Sequence, residues 1–271
     1  MSPLIETIAV SLLAVAGWLL GRWCSRLPKP WWLLGYFVPL ALIVLVALPR
    51  LDRRLEFVPP MSWLISGRTL FAISGFVVTM ILTTPLSRLP VPGQRRAVCL
   101  FMVLLVLSSS VWPFFAPVLN RRFQASLVTR LDLDGICRQS TDYNCGPAAA
   151  VTALRKLGLP AEEGEIAIAA HTSTAIGTPP DVLKAALQKR YGRHGLIVEY
   201  RHFNSIAELN NGGVTLAVVK FGLLVDHYVA VLEVRPDEIV LGDPFLGLTR
   251  CSPDEFRARW HYTGVVLKKV Q

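Results

Sequence analysis

The sequence predicts an α+β protein in two parts: four N-terminal transmembrane helices and then a soluble domain. Residues 1–120 contain four apolar runs of about 20 residues, the length that crosses the hydrocarbon core of a bilayer. Residues 131–271 show helical patterns first and strand-like alternation afterwards, an order typical of helices packed on an antiparallel sheet. A basic connector, residues 121–130, joins the two parts.

Composition and charge agree with a membrane protein. The chain is 52% hydrophobic and 17% charged, with a mean hydropathy of +0.46. Its net charge of +9 would suit a nucleic-acid partner, but +7 of that excess lies in residues 1–120, in short loops between apolar runs. Membrane proteins keep Lys and Arg in such loops. The sequence therefore indicates a lipid bilayer as a partner and gives no support to nucleic-acid binding.

The four predicted spans are Pro3–Leu20, Trp31–Leu48, Thr69–Ser87 with part of Met61–Gly67, and Ala97–Asn120. We expect an integral protein of a bacterial inner (plasma) membrane. The loops place six basic residues on one side of the membrane and five on the other. Charge therefore leaves open which side the C-terminal domain faces.

A cysteine opens the first helix of the soluble domain. Pro147 fits a first helical turn, three alanines follow it, and Gly158 closes the pattern as a C-cap. A thiol at the N-terminus of such a helix lies among unpaired N–H groups and the positive end of the dipole, which favours the thiolate of Cys145. Gln139, six residues earlier, can place an amide donor beside that sulfur, as an oxyanion hole requires.

A histidine and an aspartate follow on a predicted hairpin. The alternating segment 227–234 predicts a strand that opens at His227, and after a turn at 235–238 the returning strand ends at Asp243. The hairpin would bring Asp243 beside His227, so that one ring nitrogen is held while the other faces Cys145. The order Cys, His, Asp fits a papain-like arrangement. Further elements are predicted as helices Glu163–Ala170, 180–191 and one capped by Ser252, and as strands Leu196–Tyr200, Val214–Phe221 and Gly264–Val270.

These motifs together resemble the bacteriocin-processing cysteine peptidases. Members of that family are papain-like domains, often fused to peptide-exporting ABC transporters, that cut leader peptides after a double glycine. The resemblance spans roughly Asp132 to the C-terminus and implies Cys145 as nucleophile, His227 as base, Asp243 as orienting group and Gln139 as oxyanion donor, with no cofactor or metal. It also implies a peptide or protein substrate, and anchoring by the transmembrane helices favours a substrate near the membrane.

Several alternatives stay open. The sequence contains no Gly-x-x-x-x-Gly-Lys-Ser/Thr phosphate loop, so coupling to export would need a separate transporter partner. The same triad could transfer the acyl group to an amine or act as a deamidase, and a non-catalytic membrane module that binds leader peptides is a further alternative. A Cys137–Cys251 bridge is compatible with the sequence but not required. The remaining histidines lack partners at metal-ligand spacing: His171, His194, His202 and His261.

Overall fold

The computed structural model describes residues 3–65, 68–210, 213–222 and 225–270, and leaves out the side chains of residues 50, 51 and 53. The chain divides into two compact units, Met1–Val118 and Leu119–Gln271. We call them the membrane unit and the peptidase-like unit.

The helices and strands are as follows. The α-helices are α1 Pro3–Ser25, α2 Leu34–Leu51, α3 Met61–Ile65, α4 Thr69–Thr83, α5 Pro92–Val106, α6 Trp112–Ala125, α7 Cys145–Lys156, α8 Glu163–Ala169, α9 Pro180–Tyr191 and α10 Pro253–Arg259. The strands are β1 Arg130–Leu131, β2 Cys137–Arg138, β3 Leu196–His202, β4 Val214–Gly222, β5 Val225–Val234, β6 Ile239–Asp243, β7 Gly247–Cys251 and β8 Trp260–Lys269. Short 3₁₀ helices cover Trp31–Leu33, Arg53–Phe57, Leu86–Arg88, Gly192–His194 and Ile206–Asn210, and a π-helical turn, Leu107–Val111, joins α5 to α6.

The described part of the chain contains four helical segments long and apolar enough to cross a membrane, in the order that the sequence predicts: Pro3–Ser25, Trp31–Pro49, Thr69–Arg88 and Pro92–Ala125. The third predicted span includes part of Met61–Gly67, but α3 is a short helix separate from α4, and residues 66 and 67 lie outside the described residues. The fourth begins earlier than predicted because Pro92 occupies the start of α5, where its missing N–H costs nothing.

Polar side chains of the membrane unit have partners inside that unit. Arg68, with a side chain only 4% exposed, lies 3.6 Å from the Glu6 carboxylate and donates to the Pro113 carbonyl at 3.4 Å. The hydroxyls of Ser74 and Ser110 are 2.9 Å apart. Such pairing offsets the cost of polar groups within an apolar span.

The peptidase-like unit is built on one six-stranded antiparallel sheet with the order β3-β8-β4-β5-β6-β7. One core packs α7, α8 and α9 against the sheet, through side chains such as Leu154, Leu183 and Leu216. A second core, around Phe203, Phe256 and Trp260, covers other sheet residues. The α+β prediction is confirmed.

β1 and β2 pair in a separate two-stranded sheet that the sequence did not predict, and the six-stranded sheet departs from the prediction at β7, β8 and β5. β7 was not predicted, and it forms because Gly247, at φ +91°, makes a tight turn that returns the chain along β6. β8 begins at Trp260 because it continues through Tyr262, whose φ of +56° interrupts the alternation that marks a strand in sequence. β5 begins at Val225 rather than at His227, and residues 223 and 224 before it lie outside the described residues.

Candidate active site

Cys145 is the first residue of α7, as the sequence predicts. The rest of the first two turns is buried in the core, whereas Cys145 itself is only half-buried. Pro147 removes one of the N–H groups that a helix start leaves unpaired, and the preceding Asn144 makes no capping bond to the helix through its side chain. The sulfur therefore lies at the positive end of a helix dipole, at a position open to a substrate.

The β5–β6 hairpin brings His227 and Asp243 together. The hairpin closes with a bond from the Arg235 N–H to the Glu238 carbonyl at 2.9 Å, and Ala230 pairs with Gly242. His227 Nε2 lies 2.9 Å from Asp243 Oδ1, and both residues are buried, at 5% and 4% exposure. An Nε2–H donor to the carboxylate leaves Nδ1 as the ring nitrogen available to Cys145.

Backbone donors hold the Asp243 carboxylate in place. Its Oδ1 also accepts hydrogen bonds from the N–H groups of Phe245 at 2.8 Å and Leu246 at 3.2 Å. Burial raises the pKa of Asp243, but the hydrogen bond from His227 and the backbone donors outweigh burial, so the net pKa is lowered. Asp243 is thus an anion at neutral pH and supports a positive charge on the ring beside it.

The electrostatics of His227 favour the imidazolium. Burial lowers the pKa of this ring, but hydrogen bonds to Asp243 and Cys145, together with their charges, raise it to about 9. A ring that keeps its proton between a carboxylate and a thiol can complete a thiolate–imidazolium pair. The site can therefore hold a proton ready for a leaving group.

Gln139 is half-buried and its backbone lies beside the aspartate. Its N–H donates to the Pro244 carbonyl at 3.0 Å, which joins the segment before α7 to the turn after Asp243. Its side-chain Oε1 is buried and has no hydrogen-bond partner among the described residues. The amide is thus not committed to a structural hydrogen bond through that oxygen.

One aromatic ring packs on the histidine, and a second ring packs on the first. The Phe221 ring centroid is 5.2 Å from that of His227, and Phe245 meets Phe221 edge-on at 6.0 Å. Both phenylalanines remain about half exposed. Phe221 covers one side of the imidazole, and the two exposed phenylalanines together present an apolar surface next to it.

Sequence reasoning missed the residues that brace the segment between Gln139 and Cys145. Ser140 donates its N–H at 2.9 Å and its hydroxyl at 2.7 Å to the carboxylate of Glu163, which is fully buried. The N–H of Glu163 donates in turn to the Thr129 hydroxyl at 2.9 Å. In sequence, Glu163 resembles any acidic residue in a first helical turn, so burial is the signal that was lacking.

Two further residues approach the start of α7. Tyr228 donates from its hydroxyl to the Thr178 carbonyl at 2.9 Å, and its ring would lie 3.3 Å from a Cβ placed on Gly146. The absence of a side chain after the nucleophile therefore allows β5 to pack closely against α7.

Within the described ranges, the other titratable groups form no comparable cluster. Among the described residues, no group of three or more His, Cys, Asp or Glu side chains could hold a metal ion. All five cysteines are unpaired, Cys137 and Cys251 included. Burial raises the pKa of Cys137 to about 12, so this thiol is not a nucleophile at neutral pH. His261 pairs with Asp226 at 2.8 Å on the sheet surface.

Two known proteins are similar to about half of this chain. An uncharacterized protein of Methanothermobacter marburgensis is 36% identical over 132 residues, which cover 49% of this chain and 85% of that protein. An uncharacterized protein of Methanothermobacter thermautotrophicus is 32% identical over 119 residues, 44% of this chain and 78% of that protein.

Solved structures similar to this chain include two transporter-associated peptidase domains. The peptidase domain of Streptococcus ComA, a bifunctional ABC transporter of a quorum-sensing pathway, is 19% identical, covers 49% of this chain and 96% of its own, and has a TM-score of 0.44. A double-glycine-motif protease from an AMS/PCAT transporter, solved with a leader peptide, is 14% identical, covers 54% and 96%, and has a TM-score of 0.40.

The family model of the peptidase C39 family matches residues 135–270, half of the chain. The matched residues contain Gln139, Cys145, His227 and Asp243. The chain therefore belongs to the peptidase C39 family, a family of cysteine proteases that cleave leader peptides.

Proposed function

We propose that this protein is a membrane-anchored thiol peptidase that cleaves a peptide through Cys145, His227 and Asp243. One observation carries the proposal: a half-buried thiol at a helix start contacts a buried histidine whose other ring nitrogen is bonded to a buried carboxylate. These positions support the roles of nucleophile, base and orienting group. Membership of the C39 family supports the same assignment.

Acylation uses the proton that His227 holds. The Cys145 sulfur attacks the scissile carbonyl carbon and forms a C–S bond, and the carbonyl oxygen takes up the negative charge. The intermediate collapses as the C–N bond breaks, and the His227 imidazolium gives its proton to the departing amine. The carboxylate of Asp243 keeps the ring in the orientation that this transfer requires.

Deacylation returns the site to its starting state. His227, now neutral, takes a proton from a water molecule as the water oxygen attacks the thioester carbon. The C–S bond breaks, the carboxylic product leaves, and the proton on His227 restores the thiolate–imidazolium pair. No step needs a metal or a nucleotide.

We assign the oxyanion to the side-chain amide of Gln139 and the backbone N–H of Cys145. Gln139 is tied through its backbone to the turn after Asp243, and its side chain is half-buried. Cys145 supplies an N–H from the first helical turn, where N–H groups have no intrahelical partner. Donors fixed before the reaction stabilise the developing charge without a reorganisation cost.

For the substrate we propose a leader peptide cut after two small residues such as Gly-Gly. The C39 family supports this class, and a related protease was solved with a leader peptide bound. Four helical segments able to span a bilayer favour a substrate that is itself at the membrane, because tethering raises its local concentration.

The test uses the full chain in detergent and a set of peptides with a Gly-Gly junction or with bulky residues at the same site. We expect cleavage after Gly-Gly, mass-spectrometric labelling of Cys145 by iodoacetamide, and loss of both in Cys145→Ser. Cys251→Ser is the matched control, since Cys251 is also half-buried but burial raises its thiol pKa.

Each outcome separates one part of the proposal. Full cleavage by Cys145→Ser would overturn the assignment of the nucleophile. Cleavage only after bulky residues would refute the assignment as a leader peptidase and would still support a thiol hydrolase. A product joined to an added amine, in place of the free acid, would show that the protein is an acyltransferase.

A further inference from the structure

The end of α6 lies against the residue that precedes the nucleophile. Gln124, in the last turn of α6, and Asn144 exchange two side-chain hydrogen bonds: Gln124 Nε2 donates to Asn144 Oδ1 at 3.4 Å, and Asn144 Nδ2 donates to Gln124 Oε1 at 3.3 Å. Both side chains are buried, at 2% and 0% exposure. Both residues belong to the peptidase-like unit, although Gln124 precedes the residues that the family model matches.

The backbone of Gln124 is held as firmly as its side chain. The start of α8 packs so closely on it that a Cβ on Gly164 would lie 2.1 Å from the Gln124 carbonyl oxygen. A few residues further along, the Thr129 hydroxyl accepts the N–H of Glu163. Packing therefore holds the backbone of Gln124 in place while its side chain binds Asn144.

The pairing determines what the side chain of Asn144 does. Asn is among the residues that most often cap a helix, with the side-chain oxygen accepting an N–H from the second or third helical residue. The third residue of α7 is Pro147, which has no N–H, so a cap could only use the N–H of Gly146. Asn144 makes no capping bond, and Gln124 binds its amide instead.

We propose that Gln124 is a positioning residue for the nucleophile: it holds the Asn144 amide away from the first turn of α7, so that the Gly146 N–H is kept for the thiolate and, beside the Cys145 N–H, for the reacting carbonyl. The inference rests on the proposed function for the second of these roles. Without Gln124, the buried amide of Asn144 would lack partners and would turn to the Gly146 N–H, since buried polar groups seek hydrogen bonds.

The test compares three variants of the full chain in detergent. Gln124→Met keeps the shape and removes both hydrogen bonds. Gln124→Met with Asn144→Leu removes the competing amide as well. Gln188→Met is the matched control, because Gln188 also makes two hydrogen bonds, to the Leu196 carbonyl at 3.2 Å and from the Val198 N–H at 2.8 Å, in the same unit.

Two rates are measured: iodoacetamide labelling of Cys145, read by mass spectrometry between pH 5 and 10, and peptide cleavage. We expect Gln124→Met to slow labelling of Cys145 at pH 7 about fivefold. We also expect it to lower kcat about tenfold and to leave KM within twofold. This loss in kcat is smaller than the ~10²–10³-fold loss that follows removal of a whole oxyanion donor. We expect the double variant to recover most of both losses and Gln188→Met to change neither.

Equal rates for Gln124→Met and Gln188→Met would overturn the inference. The inference would also be overturned if the double variant labelled and cleaved no faster than Gln124→Met. The loss would then come from the missing Gln124–Asn144 hydrogen bonds and not from a competing Asn144 amide. Failure of Gln124→Met to fold, while Gln188→Met folds, would show a role in stability alone and would also overturn it. Labelling needs no peptide, so an absence of cleavage by the unmodified protein would refute the proposed function and leave the labelling comparison intact.

Discussion

Replacement of Asp243 by asparagine removes a charge from the candidate site and keeps its shape. Oδ1 of the aspartate accepts three hydrogen bonds, from His227 Nε2 and from the N–H groups of Phe245 and Leu246. An asparagine oxygen at the same place can accept all three. The variant should therefore fold normally and report on the charge of the carboxylate.

The structure gives the size of the effect. A rise in the pKa of His227 from 6.5 to about 9 corresponds to about 3 kcal/mol in favour of the imidazolium, since one pKa unit is worth about 1.4 kcal/mol. Asp243 and Cys145 share that preference, so loss of Asp243 should lower the alkaline limb of kcat by about 1–2 pH units. At pH 8 this alone reduces the protonated fraction of His227 between about twofold and about tenfold.

A loss of turnover larger than this would show that Asp243 also orients the ring of His227. The corresponding change in a serine triad costs ~10⁴-fold, and a thiolate–imidazolium pair depends less on its third member. We expect turnover to fall about 10–10³-fold for Asp243→Asn, because the preference for imidazolium is lost and because the amide, with its NH₂ group turned to the ring, supports the wrong tautomer of His227. Asp237→Asn, an exposed residue in the turn of the same hairpin, is the control and should leave the rate unchanged.

The assay is the pH dependence of peptide cleavage, with iodoacetamide labelling of Cys145 measured alongside. In the unmodified protein, cleavage should decline above about pH 9, where His227 loses the proton that the leaving amine needs. Labelling needs no such proton and should persist. A turnover change below twofold, with the alkaline limb unmoved, would refute the reasoning and leave Asp243 as a turn residue.

Three further expectations follow from the same geometry. Gln139→Ala should lower turnover by about 10²–10³-fold and leave labelling of Cys145 within twofold; loss of labelling instead would make Gln139 a support of the helix start. Glu163→Ala should leave the Ser140 N–H without its buried acceptor and destabilise the peptidase-like unit by about 1–3 kcal/mol, measured by thermal unfolding against Glu162→Ala, an exposed neighbour. The pKa of His227 is raised in the folded state, so the contribution of its protonation to stability is complete below pH 6.5 and is lost as pH rises through about 9. The melting temperature should therefore fall between pH 6.5 and about 9. The fall should be smaller in Asp243→Asn.

Local patterns were sufficient for the elements that carry the candidate site. The helix at Cys145 is encoded by a proline in its first turn and an alanine run, and the Ser252 cap of α10 forms the full capping box with Glu255. The hairpin turn follows from a short polar segment between two alternating runs. Such features depend only on residues a few positions away in the chain, so they can be predicted from the sequence.

Glu163 and Gln124 were not predicted because their roles depend on distant partners. Glu163 lies 23 positions from Ser140, and Gln124 lies 20 positions from Asn144. In sequence, Gln124 follows Arg121 and Arg122 in a basic connector, which indicates a solvated segment. Burial at 2% exposure arises only because α8 packs on the end of α6, at a glycine that would clash with any side chain.

This packing bears on where the working peptidase begins. The family match starts at residue 135, and sequence patterning placed the start of the domain at residue 131. The contacts of Gln124 and Thr129 place two upstream residues against the segment that carries the nucleophile and against α8. A fragment that begins at Leu131 would remove both and leave Asn144 and the N–H of Glu163 without these partners. Gln124 and Thr129 therefore belong to the structure of the C39 domain, and we expect a change at Gln124 to act, through Asn144, on the same first turn of α7 that holds Cys145.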